Sequence, residues 1–450
     1  MNVIAPRFVT SSLPAEQRVL RVAVLVDLMQ SAQAGGHVKC WERLAEAALG
    51  FADRLDLTLY FMGAARECKT LGANVRYVRD TPIFSTAHIP FLSHVPDHTD
   101  LAPFHPRLAR RLVDHDLIHT TDAYFAYART AERVARRRRI PLVNSIHTDT
   151  PQYARIFTTQ TVERLLGNGA AARLVLDRLD LPRYAERRLL RQLAAHQRAC
   201  AGVLVSRPDQ LAAAAALTQG HAALLRRGID RSFFHPNKRD RAWLAERFGI
   251  PPDRVVVLFA GRVNHGKNVM LLAEAMADLP ARGVPVHLLC AGDGEQRGAI
   301  LDRLDGHATC PGNLDQETLA RAYASADLFA FPSPVEECAN VVHEALASGL
   351  PVLVASESGM GRIVVEGETG FALASNRAFA WSRYIALLAS DPARRAALSL
   401  QARRYAERRL PSWAEVLEQD LLPQWQRAAL SVHRDHDEPA HPAARTASGR

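Results

Sequence analysis

No pair of cysteines in this 450-residue chain has C-x-x-C spacing; the six lie scattered at positions 40, 68, 200, 290, 310 and 338. That pattern does not read as a disulfide framework. It predicts reduced, mostly buried thiols in a cytoplasmic protein. No run of eighteen apolar residues exists, so no membrane-spanning helix is expected. The opening MNVIAPRFVTSSLPAEQR lacks the long apolar core of a secretory signal. The Walker spacing G-x-x-x-x-G-K-[ST] is missing. Histidines are plentiful, yet none pair as H-x3-H on a helix, and no metal site is expected. Both DHD triplets fall outside a plausible metal context: 114–116 opens a strand, and 435–437 lies in a polar tail. Aromatics make up only 7% of the chain and do not interleave with its arginines, which argues against nucleic acid as a partner.

The charge is plentiful and lopsided. Residues 1–236 hold 32 Lys and Arg against 21 Asp and Glu, while the remainder holds 24 against 26. All of the net +9 therefore lies in the first half, with peaks at RVARRRR (133–139) and RYAERRLLRQLAAHQR (183–198). Such a half suits an anionic partner, a membrane surface or a phosphorylated substrate; an arginine-rich solvated face is the alternative.

Apolar strand-like runs alternate with helical patterns. VLRVAVLVD (19–27), LDLTLYF (55–61), DLIHTT (116–121), PLVNSIHT (141–148) and AGVLVSR (201–207) form one set. RVVVLFAG (254–261), VPVHLLCAG (284–292), ADLFAFPS (326–333) and LPVLVAS (350–356) form a second. Alternation of this kind predicts α/β architecture with two doubly wound parallel sheets. The expected division is an extension over 1–18, a first Rossmann-like domain over 19–230 and a second over 231–405. A closing helix over 406–430 is expected to pack back on the first domain, before a disordered polar tail over 431–450. Ligands of open α/β sheets sit at the carboxyl ends of the strands, and the chemically interesting residues fall there.

In AGRVNHGKN (260–268), Arg262 and Lys267 follow a strand and precede a helix, a placement suited to a diphosphate. A basic surface loop is the alternative. In AGDGEQRGAIL (291–301), Gly292 and Gly294 free the backbone to approach a nucleobase or ribose, or else form a tight turn with Asp293 capping the next helix. In FPSPVEECANVVHEALASGLPVLVA (331–355), Glu336 sits in a βα loop and Glu344 in the early turns of a helix. Carboxylates accept paired hydroxyls, so the turn suits a polyhydroxylated ligand; a helix-dipole acid and a solvent-facing acid are the alternative.

The ordered set G-R-x4-K, A-G-D-G and S-x-x-E-x7-E-A-x-A-x-G-x-P-V resembles the retaining GT-B glycosyltransferases of the glycogen-synthase-like and mannosyltransferase-like superfamily, also called glycosyl transferases group 1. The resemblance spans roughly 19–425 and is most specific over 255–372. It implies two facing Rossmann-like domains, a UDP- or GDP-sugar donor held mainly by the second domain, and neither metal nor cofactor. By the same resemblance Arg262 and Lys267 hold the donor diphosphate and Glu344 the ribose. Glu336, with the backbone at Cys338, Ala339, Asn340 and Val341, contacts the transferred sugar or flanks the reaction centre. In QAGGHVKCWERLAEAA (33–48), Gly35 and Gly36 resemble the family's glycine loop, and SIHTDTPQYARIF (145–157) resembles its glycolipid- and mannosyl-lipid-forming branch, with His147 reaching the donor sugar. RRGIDRSFFHP (226–236) matches the linker segment.

Two departures stand out: many members carry E-G-F-G where this chain has Glu336-Glu337-Cys338-Ala339, and glycine where it has Asn268. The implied reaction moves a sugar to an acceptor hydroxyl on the face the diphosphate leaves, with no covalent enzyme nucleophile. A sugar or lipid-linked acceptor and a peripheral position at the inner face of the membrane are expected. A catalytically degenerate nucleotide-sugar-binding or scaffold protein is the competing reading.

Overall fold

The computed structural model describes residues 19–31, 34–89, 98–167, 169–336 and 340–437. The extension 1–18 and the end of the tail lie outside the described residues, as do Cys338 and Ala339. Two sheets organise the chain.

The first sheet has eight strands: β1 (Leu20–Met29), β2 (Leu55–Met62), β3 (Glu67–Gly72), β4 (Val75–Asp80), β5 (Leu117–Thr120), β6 (Leu142–Ser145), β7 (Gly202–Val205) and β8 (Ala222–Leu224). Their order is β3-β4-β2-β1-β5-β6-β7-β8, all parallel except β3 against β4. The second sheet comprises β9 (Val255–Ala260), β10 (Val286–Ala291), β11 (Ala308–Gly312), β12 (Leu328–Phe331), β13 (Val352–Ala355) and β14 (Gly370–Leu373). Its order, β11-β10-β9-β12-β13-β14, is parallel throughout.

The nine strands expected from apolar runs all form. The five not foreseen, β3, β4, β8, β11 and β14, are the outer strands. Central strands are buried on both faces and read as unbroken apolar runs. Edge strands are short or polar: β3 is ECKTLG, largely exposed, and β11 is ATCPG, whose proline has no N–H to give a ladder.

The helix Gly36–Ala48 buries Val38, Trp41, Leu44, Ala45 and Ala48, one stripe at helical spacing, against the first sheet. Between β6 and β7 the chain makes a long helical excursion, Thr150–Leu166 and then Leu181–Arg198. The run Arg136–Arg139 forms the last turn of the helix Ala126–Arg138, where cations favour the carbonyl end. Arg139 closes it in the left-handed region with φ 56°.

The domains connect twice. Ile229 N donates to Pro411 O at 2.9 Å where outgoing and returning segments pass. A Cβ on Gly228 would lie 2.6 Å from Trp413, so glycine is needed at that crossing. The helix Pro392–Arg409 packs in the second core through Leu398, Ala402 and Ala406. Beyond it, Ser412 and Glu415 form a reciprocal cap. Val416, Leu417, Leu421, Leu422 and Trp425 then enter the core of the first domain. The last helix runs to Asp437, past Ser431 where the polar tail was expected to begin.

Candidate functional site

The carboxyl ends of both sheets face one interdomain cleft of about 1030 Å³. Of the residues expected at a site, Gly35, Gly36, His147, Arg262, Lys267, Gly292, Glu336, Asn340 and Val341 line it; Gly294 and Glu344 do not. Cross-cleft contacts are few and polar. Tyr153 Oη donates to Val335 O at 2.8 Å, Arg43 to Gln316 Oε1 at 3.0 Å and Asn340 Nδ2 to Gly36 O at 3.4 Å, and Arg362 pairs with Asp209 at 2.8 Å.

On the second domain, β9 ends at Ala260, and a single 3-10 turn, His265–Lys267, precedes the helix Met270–Met276. Lys267 thus belongs to the turn before the helix, as its place between strand and helix suggested. Its ammonium ion-pairs with Glu336 Oε1, which also accepts from Ser333 Oγ at 3.2 Å. The Lys267 ammonium also stands 5.8 Å over the Phe331 ring. Asn268 adopts φ 56°, the left-handed region where asparagine is tolerated better than most residues. Its side chain donates to Ser375 O at 2.8 Å. The turn that glycine usually makes is therefore intact.

Gly292 and Gly294 serve the chain itself. A Cβ at Gly292 would lie 1.9 Å from Gly261 O, and one at Gly294 would lie 2.3 Å from Val263 O. The two loops are laced by Val263 N to Asp293 O at 2.9 Å and Gln296 N to Val263 O at 3.1 Å. On the side where a Cβ would project, these glycines admit the neighbouring backbone. Asp293 accepts from Gly294 N, and Gln296, not Asp293, precedes the helix Arg297–Leu304.

Glu344 lies on the helix Asn340–Ala347, buried beside Tyr323 and outside the cleft lining. Burial pushes its carboxyl up to about 7; Tyr323 and the charge of Arg43 pull the other way without overcoming it. Neither Tyr323 Oη nor Glu344 Oε2 reaches a hydrogen-bond partner.

On the first domain, SIHTDTPQY ends β6 and starts a helix. Asp149 caps it by accepting from Gln152 N at 3.0 Å, and Pro151 sits in the first turn. His147 is buried, 6% exposed, with its ring stacked on His37 at 4.4 Å. A chain of hydrogen bonds leads to it from the C-terminal helix. Trp425 Nε1 donates to His119 Nδ1 at 2.8 Å. His119 Nε2 lies 2.8 Å from Ser145 Oγ, which lies 2.7 Å from His147 Nε2.

The direction of that chain follows from chemistry. An indole N–H only donates, so His119 Nδ1 accepts. Burial pushes His119 down to about 3, leaving one ring proton, which must sit on Nε2 and go to Ser145. The serine hydroxyl then donates to His147 Nε2. His147 is held neutral by burial first; Arg227 and the crowding of His37 and His119 also disfavour a cation there. Its proton is therefore on Nδ1, and Nδ1 has no partner among the described residues. The cleft thus receives a neutral N–H donor whose tautomer is set from 278 residues away. Nothing in the spacing of His119, Ser145, His147 and Trp425 could have revealed this.

Residues 240–405 match the family described as Glycosyl transferases group 1. Curated relatives include the D-inositol 3-phosphate glycosyltransferase of Rhodococcus opacus (strain B4), 32% identical over 46% of this chain and 48% of that protein. They also include the sulfoquinovosyl transferase SQD2 of Arabidopsis thaliana, 33% identical over 36% of this chain and 32% of that protein. The chain spans about half the length of the inositol-phosphate enzymes it matches. Among solved structures, HepE of Anabaena in complex with UDP and glucose is similar with TM-score 0.61 and 18% identity, over 92% of this chain and 99% of that one. WaaG, a glycosyltransferase involved in lipopolysaccharide biosynthesis, is similar with TM-score 0.58 and 17% identity, over 91% and 99%. The match to glycosyl transferases group 1 is therefore confined to residues 240–405, while the fold over more than nine-tenths of the chain is that of the GT-B glycosyltransferases it resembles.

Proposed function

We propose that the protein is a retaining glycosyltransferase that moves a sugar from a UDP- or GDP-sugar to an acceptor hydroxyl without a metal. The observation that carries the reading is the opposition, across one cleft, of the Arg262–Lys267 edge and the His147 Nδ1 donor. The two cations stabilise charge as the diphosphate departs. Lys267 is paired with Glu336; a diphosphate competes for the same ammonium with more charge, so donor binding releases Glu336 toward the sugar. The neutral His147 N–H donates to a sugar oxygen and, being neutral, does not add charge beside the anomeric carbon. The departing phosphate takes the acceptor proton, and closure of the domains excludes water. Glu344, although outside the cleft lining, is read as the ribose ligand, reached where the nucleoside lies along its helix.

The acceptor is read as lipid-linked, drawn from an anionic leaflet. Support comes from the excursion between β6 and β7, where Leu165, Leu166, Leu174, Leu179, Leu181, Tyr184 and Leu190 are exposed among Arg173, Arg178, Arg183, Arg187, Arg188 and Arg191. Leu189 and Leu193 of the same helix line the cleft. Among the described residues no helix is long and apolar enough to cross a membrane. Peripheral attachment would draw on the arginines, each contributing about 1 kcal/mol near an anionic surface.

The test is a panel of nucleotide sugars with total-lipid and soluble acceptors, read by released nucleotide. Acceptor-dependent release is expected from at least one donor. Binding of a nucleotide sugar with no release under any acceptor would favour the scaffold reading instead. Co-sedimentation with anionic but not neutral vesicles, lost on changing Arg183, Arg187, Arg188 and Arg191 to Gln, is the result expected for the membrane edge.

A further inference from the structure

The floor of the cleft on the first domain holds two buried side-chain oxygens, Asp27 Oδ1 and Asn144 Oδ1, that have no partner among the described residues and that the reaction scheme above does not use. Asp27 lies in β1, two residues beyond Leu25, which pairs with Thr120 of β5. Asp122 stands two residues beyond Thr120, so the two carboxyls leave neighbouring strands on the same face. The β1–β2 register shifts between Val26 and Met29, an irregularity that re-aims the side chains at this strand end.

Asp27 is 2% exposed; its Oδ2 accepts from Tyr127 N at 3.0 Å, and its Oδ1 has no partner. Asp122 accepts from the amides of Tyr124 and Phe125 at 2.8 and 3.2 Å. Asn144 on β6 is fully buried, and its Nδ2 donates to Thr120 O, Thr120 Oγ1 and Asp122 O at 3.2, 3.1 and 3.0 Å. Those three acceptors fix the amide orientation, so the atom left without a partner is its oxygen. Asp27, Asp122 and Asn144 all line the cleft.

We infer that Asp27 and Asn144 form an acceptor subsite for an uncharged polyol ring, a sugar or cyclitol, whose hydroxyls accept from Asp27 Oδ1 and donate to Asn144 Oδ1; this rests on the transferase reading. An unsatisfied buried polar atom is costly, and a hydroxyl is the neutral group that relieves both a donor and an acceptor. Burial and the neighbouring charge of Asp122 both raise the Asp27 carboxyl well above the ordinary range, opposed by the amides of Tyr127 and Asp100. The acid proton this favours sits on Oδ1, since Oδ2 accepts from Tyr127 N. A fully ionised phosphate would meet the charge of Asp122 and bring no proton for Asn144. The subsite therefore selects a ring whose recognised edge is free of phosphate. One relative named above is a D-inositol 3-phosphate glycosyltransferase, so the two acceptor classes give opposite results in one experiment.

The probes are myo-inositol, methyl α-mannoside and their monodeoxy analogues as neutral polyols, with myo-inositol 3-phosphate as the anion. Binding to the full chain in the presence of UDP is read by saturation-transfer NMR, on wild type and Asp27→Ala, with UDP affinity reporting an intact fold. A neutral polyol is expected to bind at least tenfold more tightly than the phosphate ester. Asp27→Ala is expected to weaken that binding at least tenfold. The deoxy series on wild type needs no variant, and at least one missing hydroxyl should reproduce the loss. Tighter binding of the phosphate ester, neutral polyols that fail to bind wild type, or an unchanged affinity in both Asp27→Ala and the deoxy series overturns the subsite. Polyol binding through Asp27 with no nucleotide release from any donor would keep the subsite and sink the transferase reading.

Discussion

Replacing Trp425 with Phe should alter chemistry in a cleft that Trp425 never touches. In the wild type, reversing the His119 tautomer would point two N–H groups at each other and forfeit a buried hydrogen bond. At about 3 kcal/mol that leaves under about 1% of molecules with His147 protonated on Nε2. The Trp425→Phe substitution removes the constraint. The two directions of the His119–Ser145–His147 chain become comparable in energy, and the cleft donor becomes an acceptor in about half of the molecules. We expect kcat to fall about two- to tenfold, with donor KM little changed.

Stability should fall as well. Leaving His119 Nδ1 unpaired costs ~1–3 kcal/mol, and trimming the buried indole adds about 1 kcal/mol of cavity. The decisive assay is nitrogen-15 NMR of labelled histidine, because a merely structural role would not move a tautomer. Wild type should show His147 as the Nδ1–H form and the variant a mixture. A wild-type His147 protonated on Nε2, or identical spectra in the two proteins, would refute the reasoning.

Three other perturbations follow. Arg262→Ala or Lys267→Ala should each lower kcat by about 2–4 kcal/mol of transition-state stabilisation, read in steady-state nucleotide release. Glu344 binds a proton when folded that the unfolded chain releases between its ordinary carboxyl range and about pH 7. Stability therefore falls as pH rises through that window. Glu344→Gln should consequently stabilise the fold by ~1–2 kcal/mol at pH 8 and leave it unchanged near pH 4.5, while weakening nucleotide affinity, as denaturant titrations and calorimetry would show. Activity should survive excess chelator; complete loss restored by manganese or magnesium would contradict a metal-free transfer.

How legible these features were in the sequence depended on what carried them. Strands at the centre of each sheet announce themselves, because VLRVAVLVD and RVVVLFAG must be apolar on both faces. The outer strands do not, since Glu67–Gly72 and Ala308–Gly312 answer to solvent and to their single neighbour. The Arg262–Lys267 loop was legible as a motif, but its 3-10 turn and its ion pair with Glu336 were not, because the partners are 69 residues apart. Gly292 and Gly294 were legible as points of close approach, but not the neighbour on their Cβ side, which is the loop at Gly261–Val263. Asn268 looked like a departure until its φ showed that it makes a left-handed turn. The Trp425 relay and the Asp27–Asn144 pair had no local signal at all. Each is made by strand register and by the return of the C-terminal helix, which only the folded chain brings together.

The most direct test of the proposed chemistry is the anomeric configuration of the first product, read by proton NMR during turnover of an α-linked nucleotide sugar. Transfer on the face the diphosphate leaves predicts an α-linked product from the earliest time points. A β-linked product would contradict the account.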